Sequence, residues 1–243
     1  MKHLSRTAAA LTAVALTALP AVASAALIFN FDDGTLQGWT NVRTSTTPSG
    51  STSFGVSDPF GSSGTPNPHS GNYMVAPDPF GVGGSSARDN PNQTLVLSSP
   101  SFYLDGSGDI SAWLIGGTGS GSAPASYAGL PTDSSTNGYL GVALRRLSDG
   151  AYLLEGNRTS NSDGSWQQVT FSAASLTSYV SPTQTYALDL IDYHHGSWGW
   201  VGLDDVTIAG TAVPLPNSVA LLAVGALAMG AIRRRREGRT ALA

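Results

Sequence analysis

The sequence predicts an all-β protein, an antiparallel β-sandwich (jelly roll), on three observations. Short runs rich in β-branched and aromatic residues are separated by Gly, Ser, Pro, Asn and Asp. No long stretch of the middle of the chain repeats apolar residues with the 3.6-residue period of a helix. Residues 26–212 are long enough for one domain with its own core, and strands at this density usually pack as a sandwich or jelly roll.

Turn residues divide the middle of the chain into strands. The predicted strands are 27–31, 72–76, 94–98, 101–104, 110–115, 139–146, 151–155, 166–171, 185–193 and 198–208. Strand 185–193 alternates, with Leu188 and Leu190 on one face and Ile191 on the other. The helix-like segment is 172–180, which spans one or two turns and has Ser172 as its N-cap.

Two long segments are predicted to be loops. Residues 43–70 and 116–138 are rich in Gly, Ser, Thr and Pro. Loops of this length within a compact domain are usually functional or disordered. Both segments are therefore candidates for function.

The N-terminal segment 1–25 is predicted to be a secretory signal peptide with a helical apolar region. Lys2 and Arg6 supply the positive charge, residues 8–19 are apolar, and residues 23–25 read Ala-Ser-Ala, a cleavage site. The chain is therefore expected to leave the cytoplasm.

The C-terminal segment 213–243 joins two prolines, an apolar stretch and four arginines. Pro214 and Pro216 lack backbone N–H groups, so a helix cannot extend back through them. From 213 to 232 there are 20 residues, and such a helix covers roughly 30 Å, one hydrocarbon core. The arginines that hold its far end in the cytoplasm are Arg233, Arg234, Arg235 and Arg236. A transmembrane anchor and a sorting signal cut near the prolines both fit.

These residues resemble a known sorting signal. The sequence Val213-Pro214-Leu215-Pro216, with the apolar helix and the arginines after it, is similar to the PEP-CTERM signal of Gram-negative bacteria, with Leu215 at the usual Glu position. The resemblance implies an exosortase-type protease as processing partner. It also implies a precursor anchored in the inner membrane, followed by delivery to the cell surface or the extracellular matrix.

Composition excludes some classes of partner. Residues 26–212 contain 5 of the 12 basic residues and 15 of the 16 acidic residues, so acids outnumber bases by 10. An acidic surface argues against nucleic acid and anionic lipid as partners. The sequence has no cysteine, so a sheet core or a metal must stabilise the exported domain instead of disulfides.

Acidic pairs occur near both ends of the predicted domain. Asp32 and Asp33 follow the first strand, and Asp204 and Asp205 lie in the last one. The first and last strands of a jelly roll often share a sheet, so these carboxylates could hold one Ca²⁺ together with backbone carbonyls. Two separate Asp-Asp turns that face water fit the residues equally well.

The same two segments resemble carbohydrate-binding modules and related galactose-binding-like jelly rolls. The opening reads Phe-Asp-Asp-Gly-Thr-Leu-Gln-Gly-Trp at 31–39, and the closing reads Leu-Asp-Asp-Val-Thr-Ile at 203–208. The resemblance implies a structural Ca²⁺ held by Asp33 or Asp32 and by Asp204 or Asp205.

Aromatic residues near the last strand form the second candidate site. Trp198 and Trp200 are two apart and share a face of a strand, and Tyr193 lies just before them. Exposed rings on one face can stack on sugars. The alternative is that Trp200 and a neighbour belong to the core, where Trp39, Trp113 and Trp166 are also expected.

The sequence therefore predicts an exported, non-catalytic surface or matrix protein that binds polysaccharide, such as the producer's exopolysaccharide, through Tyr193, Trp198 and Trp200. A purely structural or adhesive surface protein and an Asp-based extracellular glycan hydrolase are the alternatives. The sequence has neither a Gly-x-Ser-x-Gly elbow nor a phosphate-binding P-loop.

Overall fold

The computed structural model describes residues 26–47, 50–57, 67–78, 94–131, 138–160, 165–194 and 200–213. In this part of the chain every strand pair is antiparallel. The strands are β1 (Leu27–Phe29), β2 (Thr40–Arg43), β3 (Ser45–Thr47), β4 (Gly50–Ser57), β5 (Met74–Asp78), β6 (Leu95–Ser98), β7 (Phe102–Tyr103), β8 (Ile110–Gly116), β9 (Leu140–Arg146), β10 (Tyr152–Asn157), β11 (Gln167–Phe171), β12 (Tyr186–Asp192), β13 (Val201–Ile208) and β14 (Thr211–Ala212).

The strands form two sheets that pack as a β-sandwich. Sheet A has the order β11-β8-β13-β5-β4-β3, and β1 also pairs with β13. Sheet B has the order β10-β9-β12-β6-β2, while β7 pairs with both β12 and β14. The expectation that the opening and closing strands share a sheet is confirmed, and the two strands are direct neighbours, because Phe29 lies opposite Val206.

The main core lies between the two sheets. Leu188 and Leu190 of β12 are fully buried in it, whereas Ile191 belongs to a second apolar cluster on the outer face of sheet B. The alternation predicted for this strand is thus confirmed. Trp39 is buried as predicted and meets the ring of Phe29 edge-on, with 5.6 Å between the ring centroids.

The loop prediction for residues 43–70 is wrong in part, because β3 and β4 lie within it. Their sequences are rich in Ser, Thr and Gly, and their apolar residues are Phe54 and Val56 of β4. A contact with Asn41, 13 residues away in the chain, holds β4 in place. The Asn41 side-chain amide donates to the carbonyl of Phe54, and the Phe54 N–H donates to the Asn41 side-chain oxygen, both at 2.8 Å. Phe54 is buried beside it.

The predicted helical segment 172–180 is confirmed, but its α-helical part is shorter than predicted. Helix α1 (Ala173–Leu176) is a single turn that continues into a 3₁₀ turn (Thr177–Tyr179). The Ser172 hydroxyl accepts a hydrogen bond from the backbone N–H of Ser175, as expected of an N-cap. The last long strand starts at Val201 instead of residue 198.

Residues 117–131, the roof segment, cross the outer face of sheet B. At one edge of the sheet the Tyr152 N–H donates to the carbonyl of Ala125, at 3.0 Å. At the opposite edge the Tyr127 hydroxyl donates to the carbonyl of Val42, at 2.9 Å, and Arg43 donates to the carbonyl of Leu130, at 3.1 Å. This part of the predicted 116–138 loop is therefore an ordered cover. Leu130 of the roof segment packs there in an apolar cluster with Val96, Tyr139, Ala143 and Ile191.

A buried ion pair lies on the same face of sheet B as the roof segment. Arg145 Nε is 2.7 Å from Asp189 Oδ2, and Asp189 is fully buried. Burial raises the pKa of Asp189, while the charge of Arg145 and the hydroxyls of Ser98 and Tyr152 oppose that rise. The guanidinium carbon of Arg145 lies 4.8 Å from the ring centroid of Tyr127, which belongs to the roof segment.

No helix among the described residues is long and apolar enough to cross a bilayer. The predicted signal helix, 1–25, and the predicted transmembrane helix after Val213 lie outside the described residues. Both stay predictions.

We expect Asp189→Ala to destabilise the domain strongly, because it leaves Arg145 mostly buried without its counter-ion. Loss of one partner of a buried pair costs about 3–5 kcal/mol. Urea unfolding of the full-length chain measures the change. Asp149→Ala is the matched control, since it breaks the exposed pair with Arg146 and should leave the unfolding midpoint almost unchanged. Equal losses in both variants would contradict the role given to the buried pair.

Candidate functional site

Three aspartates converge on residues 67–73, which we call the strap. Asp204 is fully buried, and its Oδ2 accepts hydrogen bonds from the backbone N–H groups of His69, at 2.9 Å, and Ser70, at 3.2 Å. Its Oδ1 accepts from the N–H of Asp205 at 2.8 Å. Burial raises the pKa of Asp204 to about 6.

A β-bulge in β13 presents the next carboxylate. The register against β8 shifts between Asp204 and Thr207, and Asp205 has a φ of 44°. Asp tolerates this left-handed conformation better than most residues, and bulges often redirect a side chain. Here Asp205 Oδ2 lies 2.6 Å from Nδ1 of His69, and its Oδ1 accepts from the Ser70 hydroxyl at 2.9 Å.

Asp32 holds the strap from the side of β1. Its Oδ1 accepts from the N–H of Asn72 at 2.8 Å, and its Oδ2 accepts from the Asn30 side-chain amide at 3.2 Å. Asp33 does not take part, because it is exposed and accepts from the N–H and hydroxyl of Thr35. These hydrogen bonds lower the pKa of Asp33.

Of the predicted calcium ligands, the structure thus brings Asp32, Asp204 and Asp205 to one strap and leaves Asp33 in a local turn. Carboxylate oxygens suit Ca²⁺, but the oxygens here accept hydrogen bonds from N–H and O–H groups. Among the described residues, no group of three or more His, Cys, Asp or Glu side chains could hold a metal ion. Calcium binding stays a prediction.

The strap packs on an aromatic group on the outer face of sheet A. The ring of His69 stacks on Trp113, with centroids 3.8 Å apart and planes 17° apart. Trp166 meets His69 edge-on at 5.7 Å, and its indole N–H donates to the carbonyl of Asn67. Trp113 and Trp166, expected in the core, are therefore half-buried under the strap. The sequence did not single out His69, which lies within a predicted loop.

The predicted sugar-binding aromatics do not form one platform in the described part of the chain. Trp200 is fully buried with Met74 and Ile115, so its ring has no face open to a ligand, and the core alternative holds for it. Tyr193 lies on sheet B, where it stacks on Tyr139 at 6.3 Å and its hydroxyl donates to the roof segment at Ser122. Trp198 lies outside the described residues.

Only the first residue of the predicted sorting signal is described. The N–H of Val213 donates to the carbonyl of Ser101 at 3.1 Å, which ties it to the sandwich. The other sorting-signal residues, which lie outside the described ones and stay predictions, are Pro214, Leu215, Pro216, Arg233, Arg234, Arg235 and Arg236.

A pocket of about 240 Å³ lies where the roof segment meets β10. The residues that line it are Ala123, Pro124, Ala125, Tyr152, Leu153, Leu154 and Glu155. Strand β10 has a register shift between Tyr152 and Leu154, directly along the pocket. No local sequence pattern predicts this site, because its two walls are 27 or more residues apart in the chain. The sequence offers one indirect signal. Asp189 is a carboxylate among the apolar residues of a strand, and a buried carboxylate requires a partner; one of its partners is Tyr152, which lines the pocket.

No protein-family profile and no curated protein matches the chain. Among similar solved structures is the K1 cleaved adhesin domain of Lys-gingipain from Porphyromonas gingivalis W83, 18% identical, with 77% of this chain and 99% of that one covered and a TM-score of 0.46. TmCBM61 in complex with β-1,4-galactotriose is 16% identical, with 73% and 91% covered and a TM-score of 0.40.

A cyclase from Fischerella sp. TAU is similar to the same extent, at 15% identity, with 79% of this chain and 100% of that one covered and a TM-score of 0.42. Likenesses this distant assign no residue and no ligand to the chain. Its sandwich architecture rests on the strand pairing and the core described above.

We expect Gly71→Ala to loosen the strap. Gly71 has a φ of 62°, and a Cβ there would collide with the Asp32 carboxylate. The left-handed conformation alone costs an alanine about 1–2 kcal/mol, so thermal melting should occur at a lower temperature. Gly129→Ala is the control, because the nearest atom to a Cβ there is 3.6 Å away. An unchanged melt of Gly71→Ala would show that the strap adjusts freely.

The calcium prediction has its own test. If a cation lies between the opening and closing strands, EDTA should lower the melting temperature of the full-length chain and added Ca²⁺ should restore it. Asp204→Ala combined with Asp205→Ala should abolish that response, while Asp33→Ala should keep it, since Asp33 lies outside the strap contacts. A wild-type melt that is indifferent to EDTA would refute calcium binding.

Proposed function

We propose that the chain is an exported, non-catalytic β-sandwich protein of a bacterial cell surface or extracellular matrix that binds polysaccharide. Export is supported by the two ends of the sequence: an apolar segment before Ala-Ser-Ala, and the Val-Pro-Leu-Pro segment before an apolar helix and four arginines. In this proposal an exosortase-type protease processes a precursor that the C-terminal helix holds in the inner membrane.

The pocket between the roof segment and β10 supports the binding function. Its lining combines the half-buried residues Tyr152, Leu153 and Leu154 with the exposed residue Glu155. Sugar rings carry apolar C–H faces and hydroxyl edges, and aromatic or aliphatic walls with a few polar groups suit both. We take this pocket as the candidate binding site in place of the predicted set of Tyr193, Trp198 and Trp200.

The non-catalytic part of the proposal is supported by the partners of the acids. A glycoside hydrolase needs two carboxylic groups that face one glycosidic bond. Asp189 is engaged by Arg145, and Asp204 by backbone N–H groups of the strap. Glu155 accepts from the N–H of Ala123, which fixes it to the roof segment. Within the described residues, these contacts give Asp189 and Asp204 structural roles.

Affinity electrophoresis tests the proposal. The full-length chain should migrate more slowly through gels that contain a polysaccharide it binds, and it should release no reducing sugar from that polysaccharide. Trp198→Ala tests the aromatic site that the sequence predicted and should leave the retardation intact if the pocket is the site.

Release of reducing sugar would instead favour the hydrolase alternative. Unretarded migration across a broad panel of neutral and acidic polysaccharides, with no sugar released, would leave a structural or adhesive protein.

A further inference from the structure

We infer that the pocket at the roof segment takes a neutral sugar unit and discriminates against acidic sugars such as uronates and sulfated residues. This inference rests on the proposed polysaccharide-binding function and names both its site and its ligand class. Three features of the described residues carry it: a fixed floor, a fixed wall and the distribution of charge.

The floor of the pocket is rigid. Tyr152 donates its hydroxyl proton to the buried Asp189 at 3.0 Å, so the tyrosine ring cannot turn away from the pocket without breaking that bond. Leu153 and Leu154 pack against the main core of the sandwich. With these two leucines held by the core, the bulge in β10 presents the Tyr152 ring on a floor that is already in place. A pre-organised surface loses little conformational entropy when a ligand binds.

The roof segment forms the opposite wall and is fixed by three contacts to β10. The carbonyl of Ala125 accepts from the N–H of Tyr152, and the Glu155 carboxylate accepts from the N–H of Ala123. The side-chain amide of Asn157 donates to the carbonyl of Gly121 at 2.9 Å. A carboxylate has about four acceptor positions, so Glu155 keeps capacity to accept protons from sugar hydroxyls after it has bound the Ala123 N–H.

The arginines of the described part of the chain are already engaged. Arg145 pairs with Asp189, and Arg146 pairs with Asp149. Arg43 donates to backbone carbonyls of the roof segment, and Arg158 is fully buried, where it donates to the carbonyls of Gly116 and Ser165. None of the residues that line the pocket is basic.

Charge therefore selects the ligand. A uronate or sulfate in the pocket would place its negative charge near Glu155, without a basic side chain in the walls, in a domain where acids outnumber bases by 10 between residues 26 and 212. Like charges at close range repel, and removing an anion from water without a partner is costly. A neutral sugar avoids both penalties and can donate its hydroxyl protons to the carboxylate, as charge-assisted hydrogen bonds.

The test is affinity electrophoresis of the purified full-length chain in EDTA, which prevents divalent cations from bridging acidic groups. The neutral probes are β-1,4-galactan, laminarin, xylan and dextran, and the acidic probes are alginate and polygalacturonate. We expect retardation by at least one neutral probe and none by the acidic ones. Thermal melting of each variant shows whether it is folded.

Two variants with matched controls locate the site. Ala125→Trp should fill the pocket from its exposed rim and abolish retardation, while Ala128→Trp, at an exposed position of the same segment away from the pocket lining, should behave like the wild type. Glu155→Gln should weaken neutral binding about tenfold by removing the charge from its hydrogen bonds. Asp105→Asn removes the same charge at an exposed position outside the pocket lining and should change nothing.

The outcomes separate the inference from the proposed function. Wild-type retardation that persists in folded Ala125→Trp would overturn the pocket as the site and leave polysaccharide binding standing. Retardation of the wild type by an acidic probe, with or without retardation by neutral ones, would overturn the discrimination against acidic sugars. If no probe retards the wild type, the proposed function itself fails.

Discussion

The outer face of sheet B depends on one buried carboxylate. Asp189 neutralises Arg145, fixes the hydroxyl of Tyr152 and lies beneath a segment of chain that crosses the whole sheet. Arg145 and Tyr152 come from neighbouring strands and are largely sequestered from water. Removing any one of Asp189, Arg145 and Tyr152 would therefore leave the others with a buried, unpartnered polar group. The orientation of the Tyr152 ring, and with it the floor of the pocket, follows from that single charge.

The strap is held on sheet A mainly by hydrogen bonds from its backbone N–H groups to aspartate side chains. An exported chain without cysteines must hold its surface segments by other means, and here three aspartates accept hydrogen bonds from the strap. Asp204 does so from a fully buried position, which raises its pKa. Among the described acids, Asp32, Asp204 and Asp205 thus act as structural acceptors for the strap.

The two faces of the sandwich also explain why a ligand would bind at an edge. The roof segment covers the middle of sheet B, and the strap covers part of sheet A with His69 stacked on Trp113. A polysaccharide chain therefore cannot lie across the centre of sheet B while the roof is in place. The pocket at β10 is where the cover ends and the bulged strand leaves space.

Local sequence patterns determined the fold class of the protein and several of its secondary-structure elements. The alternation of β12 and the N-cap at Ser172 depend on neighbours within a few residues, and so do the predicted signal peptide and sorting signal. Only the tertiary structure decided that a Ser- and Gly-rich stretch becomes β4, that Trp200 is buried and that the roof segment is ordered. The reason is distance along the chain: Asn41 and Phe54 are 13 residues apart, and His69 and Asp205 are 136 apart. No local period or turn signal encodes such contacts, because they form only when the two sheets pack.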